Sequence, residues 1–143
     1  MAQPGFMYKT RVSFYDTDAM GVMHHAAFMQ KFEDARVAWL RDSGLDCYHY
    51  PKADLVLAVT EAKCNYRAPC FFDQEISIYL QVKRTRLKLF IQYAMFDESN
   101  SILATGSTTH VPMDAKLKLT KYPAEFKSRL EKKLWTETWP SNL

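Results

Sequence analysis

Residues 16 to 28 read DTDAMGVMHHAAF, a short stretch holding two carboxylates, a glycine and a pair of histidines. A carboxylate at Asp18 has the chemistry to attack a carbonyl carbon, or to take a proton from a water molecule that does. His25, seven positions later, is a residue type that orients a substrate or a water and assists a leaving group. Gly21 lies between them and lets a ligand approach the backbone, because no side chain intervenes. Asp16 and Thr17 read as turn residues beside the pair. If a helix starts near His25, none of Gly21, Val22, Met23 and His24 is a Ser, Thr, Asp or Asn, so the first helical N–H groups are expected to lack a local cap. A free helix start is a natural site for an anion or a developing oxyanion. Together these are the parts of an acyl-transfer site.

Other chemistries find less support. Adjacent histidines on a helix point in different directions, and Met29 stands at i+4 from His25 where a second ligand would be needed, so no metal is expected. His49 and His110 are remote in sequence. No Gly-x-Ser-x-Gly elbow occurs, which removes the usual signal of a serine triad. Cys47, Cys64 and Cys70 match neither a disulfide framework nor a zinc knuckle and read as reduced thiols.

The elements that must carry these residues follow from hydrophobic period. Residues 8 to 15, YKTRVSFY, alternate as a half-buried strand with Tyr8, Thr10, Val12 and Phe14 on one side. From Phe28 the period changes: Phe28, Phe32, Ala35 and Trp39, widened by Val37 and Leu40, describe a helix of about five turns that stops at DSGL, where Gly44 can close it. A polar connection at 46 to 54 leads into strands at 55 to 67, 75 to 83, 87 to 96 and 102 to 111, with a hairpin turn at DESNS and Pro112 as the last stop. Pro123 opens a short amphipathic helix bearing Phe126, Leu130 and Leu134, expected to dock on its own domain. This order, one strand, a long helix, four strands and a short helix, predicts an α+β domain over residues 1–143: an antiparallel sheet wrapped around one long central helix. Its sheet edges invite pairing with a second copy.

The formal net charge is +3, with basic residues concentrated at KRTRLK (83 to 88) and KLKLTK (116 to 121). That is too little for a nucleic-acid footprint but enough for the phosphates of a small molecule. The opening MAQPGFMYKT has no basic region followed by an apolar run, and no segment reaches the ~18 apolar residues of a membrane span. The expectation is a cytoplasmic protein without membrane insertion.

The segment RVSFYDTDAMGVMHHAAFMQKFEDARVAWLRDSGL resembles the opening of the hot-dog fold acyl-CoA thioesterases of the 4-hydroxybenzoyl-CoA thioesterase type, especially the YbgC-like subgroup associated with Tol-Pal envelope genes. The matching residues are Asp16, Thr17, Asp18, Gly21, Val22, His25, Phe28, Phe32, Glu33, Ala35 and Arg36, and CNYRAPCFFDQEISI resembles that family's Tyr-x-x-Pro step into its central hairpin. The resemblance implies a hot-dog fold, a homodimer or homotetramer with sites at a subunit interface, and hydrolysis of acyl-CoA thioesters without metal or cofactor. It assigns Asp18 as nucleophile or general base and His25 as the histidine beside it. The backbone N–H groups of His24 and His25, next to Gly21, would polarise the thioester carbonyl. Met20, Met23, Phe28 and Met29 are the expected acyl-pocket residues, and the two basic clusters the expected contacts for the phosphates of CoA. Met20, His24 and Ala27 stand where the pattern usually has Gly, Tyr and Asn, which bears on substrate size. The alternatives are an acyl-thioester hydratase on the same fold and a non-catalytic acyl-carrier or envelope-partner binding module.

Overall fold

Alternation along Glu75–Arg84 puts Ile76, Ile78, Leu80 and Val82 on one face of a strand, and in the computed structural model all four are buried. The structure describes residues 5–45 and 55–131. Its strands are β1 (Phe6–Arg11), β2 (Val56–Tyr66), β3 (Glu75–Arg84), β4 (Leu89–Phe96) and β5 (Ile102–Met113), with helices α1 (His25–Asp42) and α2 (Ala124–Glu131). All four strand pairings are antiparallel, in the order β1-β3-β4-β5-β2, so β1 and β2 are the edges.

Helix α1 lies on the sheet through the stripe its period foretells. Phe28, Phe32, Ala35 and Trp39 are buried, and each aromatic contributes roughly 2 to 3 kcal/mol by leaving water. Phe32 stacks on Tyr93 of β4 with ring centroids 4.8 Å apart. The same ring covers Gly106 of β5, where an added Cβ would come within 2.5 Å of it; the absence of a side chain there lets helix and sheet meet. The helix ends at Asp42, with Gly44 in the left-handed conformation (φ 69°) that the sequence predicts. This is the α+β hot-dog architecture.

Three boundaries differ from the sequence expectation, each for a local reason. The first strand stops at Arg11 instead of reaching Tyr15, because Ser13 and Asp16 form a capping box around a 3-10 turn at Phe14–Asp16, with Ser13 N–H donating to Asp16 Oδ2 at 2.8 Å. Phe14 is therefore 77% exposed rather than inward-facing. Strand β5 runs through Pro112 to Met113. The Pro112 carbonyl accepts Thr120 N–H on the side away from β2, beyond the end of β4, so the missing N–H breaks no ladder bond;. The strand expected from residue 87 begins at Leu89, after a turn closed by Thr85 N–H to the Lys88 carbonyl. Cys47, His49, the 46–54 connection and Leu134 lie outside the described residues. Among the described residues no helix is long and apolar enough to cross a membrane.

Candidate active site

The DTDAMG segment is tied down at both ends and free at its tip. Asp16, read from sequence as a turn residue, is 4% exposed and buried against α1: its Oδ2 lies 2.9 Å from Lys31 Nζ, and the two side chains are 3% and 8% exposed. Two charges buried this deeply hold only as a pair. The Asp16 carbonyl accepts the His24 N–H at 2.7 Å, and Met23 N–H donates to the Cys70 carbonyl at 2.7 Å, so the far side of the loop is fixed too. Between these anchors Asp18 to Gly21 forms a turn, with Gly21 N–H on the Asp18 carbonyl at 3.0 Å and Asp18 N–H on the Val22 carbonyl at 2.9 Å. Gly21 is there for its backbone (φ 77°), and the space beyond it is open, with nothing within 4 Å of an added Cβ.

Asp18 is half-buried, and its Oδ1 accepts the Met20 N–H at 2.8 Å. That bond fixes the side chain while Oδ2 has no partner among the described residues. No hydrogen bond joins Asp18 to His25 among them either. His25 is exposed at the first turn of α1. Its carbonyl accepts the Tyr66 hydroxyl at 2.9 Å, and its ring lies on that of His24 with centroids 4.2 Å apart.

The helix start is not uncapped, which corrects the sequence expectation. His24 occupies the N-cap with extended backbone, and its Nδ1 accepts the Ala26 N–H at 3.1 Å. An imidazole nitrogen supplies the lone pair that a serine or aspartate oxygen normally brings. Of the three backbone N–H groups considered, Gly21 and His24 donate within the chain, and that of His25 has no acceptor among the described residues.

The four apolar residues expected to line an acyl pocket are not brought together as one open wall. Met23 and Phe28 are 4% and 3% exposed and belong to the core, since Phe28 shares the sheet-facing stripe with Phe32; Met29 is half-buried against that core, and Met20 is 80% exposed at the loop tip. Sequence reasoning missed the rim: Phe71 and Phe72, 53% and 57% exposed, lie beside the loop through a bridge from Val22 to Phe71, and Phe14 meets Phe72 edge-on. It also gave no site role to Tyr66, the tyrosine of the Tyr-x-x-Pro step, or to Lys31, whose signal was present: a charge inside the apolar stripe of α1.

Neither described cysteine has the lowered pKa of an activated thiol;. Burial, with Asp97 adding to it, pushes the Cys70 thiol up to about 12, and burial raises Cys64. Deeper in the core Arg36 donates to the Tyr93 hydroxyl at 3.2 Å, which shares a 2.8 Å bond with Thr108, and His110 Nε2 lies 2.8 Å from the same Thr108 oxygen. Among the described residues no group of three or more His, Cys, Asp or Glu could hold a metal.

The basic clusters gather at the opposite end of the sheet. Tyr122 donates to the Leu87 carbonyl and lies under Arg84, which brings the turn carrying Arg84, Arg86 and Lys88 against the loop carrying Lys116, Lys118 and Lys121. This end of β2 begins at Val56, paired with Met113, whereas Tyr66 beside His25 pairs with Ala104. The separation along β2 is about 30 Å.

Residues 12–130 match the thioesterase-like superfamily. A 1,4-dihydroxy-2-naphthoyl-CoA hydrolase of Crocosphaera subtropica is 29% identical over 117 residues, 78% of this chain and 84% of that one. The acyl-CoA thioester hydrolase YbgC of Escherichia coli is 27% identical over 128 residues, 85% and 96% of the two chains. Among solved structures, a hypothetical protein of Aquifex aeolicus superposes with a TM-score of 0.81 at 30% identity, covering 87% of this chain and 98% of that one. A 1,4-dihydroxy-2-naphthoyl-CoA thioesterase from Synechocystis gives 0.81 at 23%, covering 87% and 94%. The chain belongs to the thioesterase-like superfamily and is a thioester hydrolase of the hot-dog fold.

Proposed function

We propose that the substrate is an acyl-CoA and that Asp18 is the catalytic carboxylate, acting as general base or as nucleophile. As base it takes a proton from water while the water oxygen attacks the thioester carbonyl; the tetrahedral oxyanion collapses, the C–S bond breaks, and the departing thiolate takes the proton to leave a free acid and CoA. As nucleophile its Oδ2 bonds to the carbonyl carbon, the thiolate leaves, and water then cleaves the mixed anhydride to restore the carboxylate. In both routes the His25 N–H donates to the oxyanion and the His25 ring orients substrate or water. One observation carries this reading: where the loop meets α1, Asp18 Oδ2 and the His25 N–H, an acceptor and a donor seven residues apart, have no hydrogen-bond partner among the described residues.

The second part of the proposal is a homodimer. An edge strand of 11 residues with an exposed middle is a pairing surface;, and a two-fold axis through β2 sets the strand antiparallel to its copy. Such a pairing lays the basic end of one chain beside the Asp18 end of the other, so the CoA phosphates and the thioester are held by different subunits. We assign the chain to the YbgC-like subgroup on the DTD, Gly-Val and His spacing.

The experiment is thiol release from acetyl-, hexanoyl-, palmitoyl- and benzoyl-CoA by wild type and Asp18→Asn. Asparagine keeps the bond from Met20 N–H but can neither attack nor accept a proton, so turnover should fall by about 10² or more with little change in acyl-CoA binding. Asp34→Asn, exposed on α1, is the matched control. Wild-type turnover by Asp18→Asn refutes the assignment, and water addition to an enoyl-CoA without thiol release marks a hydratase instead.

A further inference from the structure

The bond that caps α1 comes from an imidazole, and an imidazole can make it in only one protonation state. For His24 Nδ1 to accept the Ala26 N–H, the ring must be neutral with its proton on Nε2. A second proton occupies the accepting lone pair and adds positive charge at the helix end that already carries the positive pole of its dipole. We infer that His24 is a positioning residue for hydrolysis: as a neutral cap it fixes the first turn of α1, and with it the direction of the His25 N–H and ring, so turnover requires His24 to stay unprotonated. This rests on the role given to His25 above.

The supports of His25 make the inference specific. Its carbonyl is held by the Tyr66 hydroxyl at 2.9 Å, and its ring by that of His24, tilted 31° at 4.2 Å between centroids. His24 is anchored in turn through its own N–H to the Asp16 carbonyl at 2.7 Å. Asp16, His24 and Ala26 thus form one run of bonds with an imidazole in the middle. The titratable and charged groups of the elements meeting at this corner include His25, Lys31, Glu33, Asp34 and Arg36 on α1, Asp16 and Asp18 on the loop before it, Glu61, Lys63, Cys64 and Tyr66 on β2, and Arg67 and Cys70 after it. Only the imidazoles belong to a residue type that ordinarily changes charge between pH 5 and 8. A second proton on both rings would also set two like charges face to face.

The test compares wild type, His24→Asn and His24→Ala in thiol release from hexanoyl-CoA and benzoyl-CoA between about pH 5.5 and 8.5, with the melting temperature taken at each pH to confirm folding. Asparagine caps a helix without titrating and alanine does not cap. At about pH 8 the kcat of His24→Asn should stay within about threefold of wild type, while His24→Ala loses about fivefold with KM changed less than about twofold. Toward about pH 5.5 wild-type kcat should fall at least about threefold further than that of His24→Asn. At about pH 8, long-range ¹⁵N–¹H correlations of the His24 ring should show an unprotonated Nδ1. Parallel pH profiles for wild type and His24→Asn, undiminished kcat in His24→Ala, or a protonated Nδ1 would each overturn the inference alone. A wild type that releases no thiol at all would remove it together with the hydrolase reading.

Discussion

Lys31→Met strips the partner from a carboxylate that has no access to water. The Asp16 Oδ2 to Lys31 Nζ distance is 2.9 Å with both side chains more than nine-tenths buried, and removing one member of such a pair costs about 3 to 5 kcal/mol. Asp16 keeps its bond from Ser13 N–H, which argues for the lower end. With an unfolding entropy of roughly 2.1 cal/mol/K per residue, a loss of about 3 kcal/mol lowers the melting temperature of a chain this long by about 10 °C. Thermal and urea unfolding followed by fluorescence, at fixed protein concentration, measures this directly, because Trp39 is fully packed;. The diagnostic variant is the double change Asp16→Asn with Lys31→Met. Removing both charges should recover much of the loss, since most of it is the penalty of an unpaired ion and not the worth of the bond. A single Lys31→Met costing less than about 1 kcal/mol, or a double variant weaker than the sum of the singles, would refute the reasoning.

Three further outcomes are expected. His25→Ala should reduce kcat by about tenfold, less than Asp18→Asn, with the fold intact because alanine suits a helix start; unchanged kinetics would make His25 structural. Burial, with the Arg36 guanidinium adding to it, holds the His110 imidazole down at about 4 against 6.5 ordinarily. The unfolded chain therefore takes that proton first, so the stability contribution is complete above pH 6.5 and is lost toward pH 4, by about 3 kcal/mol in total. His110→Gln should flatten that part of the stability curve, and an equally steep curve would refute it. Light scattering should give at least twice the 16.7 kDa of one chain, and a monomer at micromolar concentration would contradict the paired β2 edge.

The sheet and α1 were legible because their periods are clean: the alternation of Glu75–Arg84 and the stripe from Phe28 to Trp39 leave one register each. The first strand was overextended because the Ser13–Asp16 capping box competes with an alternation that continues through Phe14. A lysine in an apolar stripe states that something charged must meet it, but not that the something is Asp16, since only the folded chain brings positions so placed together. His24 was missed as a cap because the usual rule counts oxygens, and a ring nitrogen does the same work. Tyr66 was visible as the tyrosine of the Tyr-x-x-Pro step, but its bond to the His25 carbonyl was not, because it spans 41 positions.

The distance along β2 between Asp18 and the lysine-rich end bears on heredity as well as on binding. If each site draws its carboxylate from one chain and its phosphate contacts from the other, two different null alleles can rescue one another. A mixed dimer of Asp18→Asn with a chain lacking the basic cluster concentrates both lesions in one site and leaves the other whole. Random assembly of the two defective chains then restores about a quarter of the wild-type sites, from parents that are each inactive. The same arithmetic leaves neither defective chain dominant over a normal copy: a mixed dimer of normal and defective chains keeps one of its two sites whole, so the number of whole sites simply follows the number of normal chains.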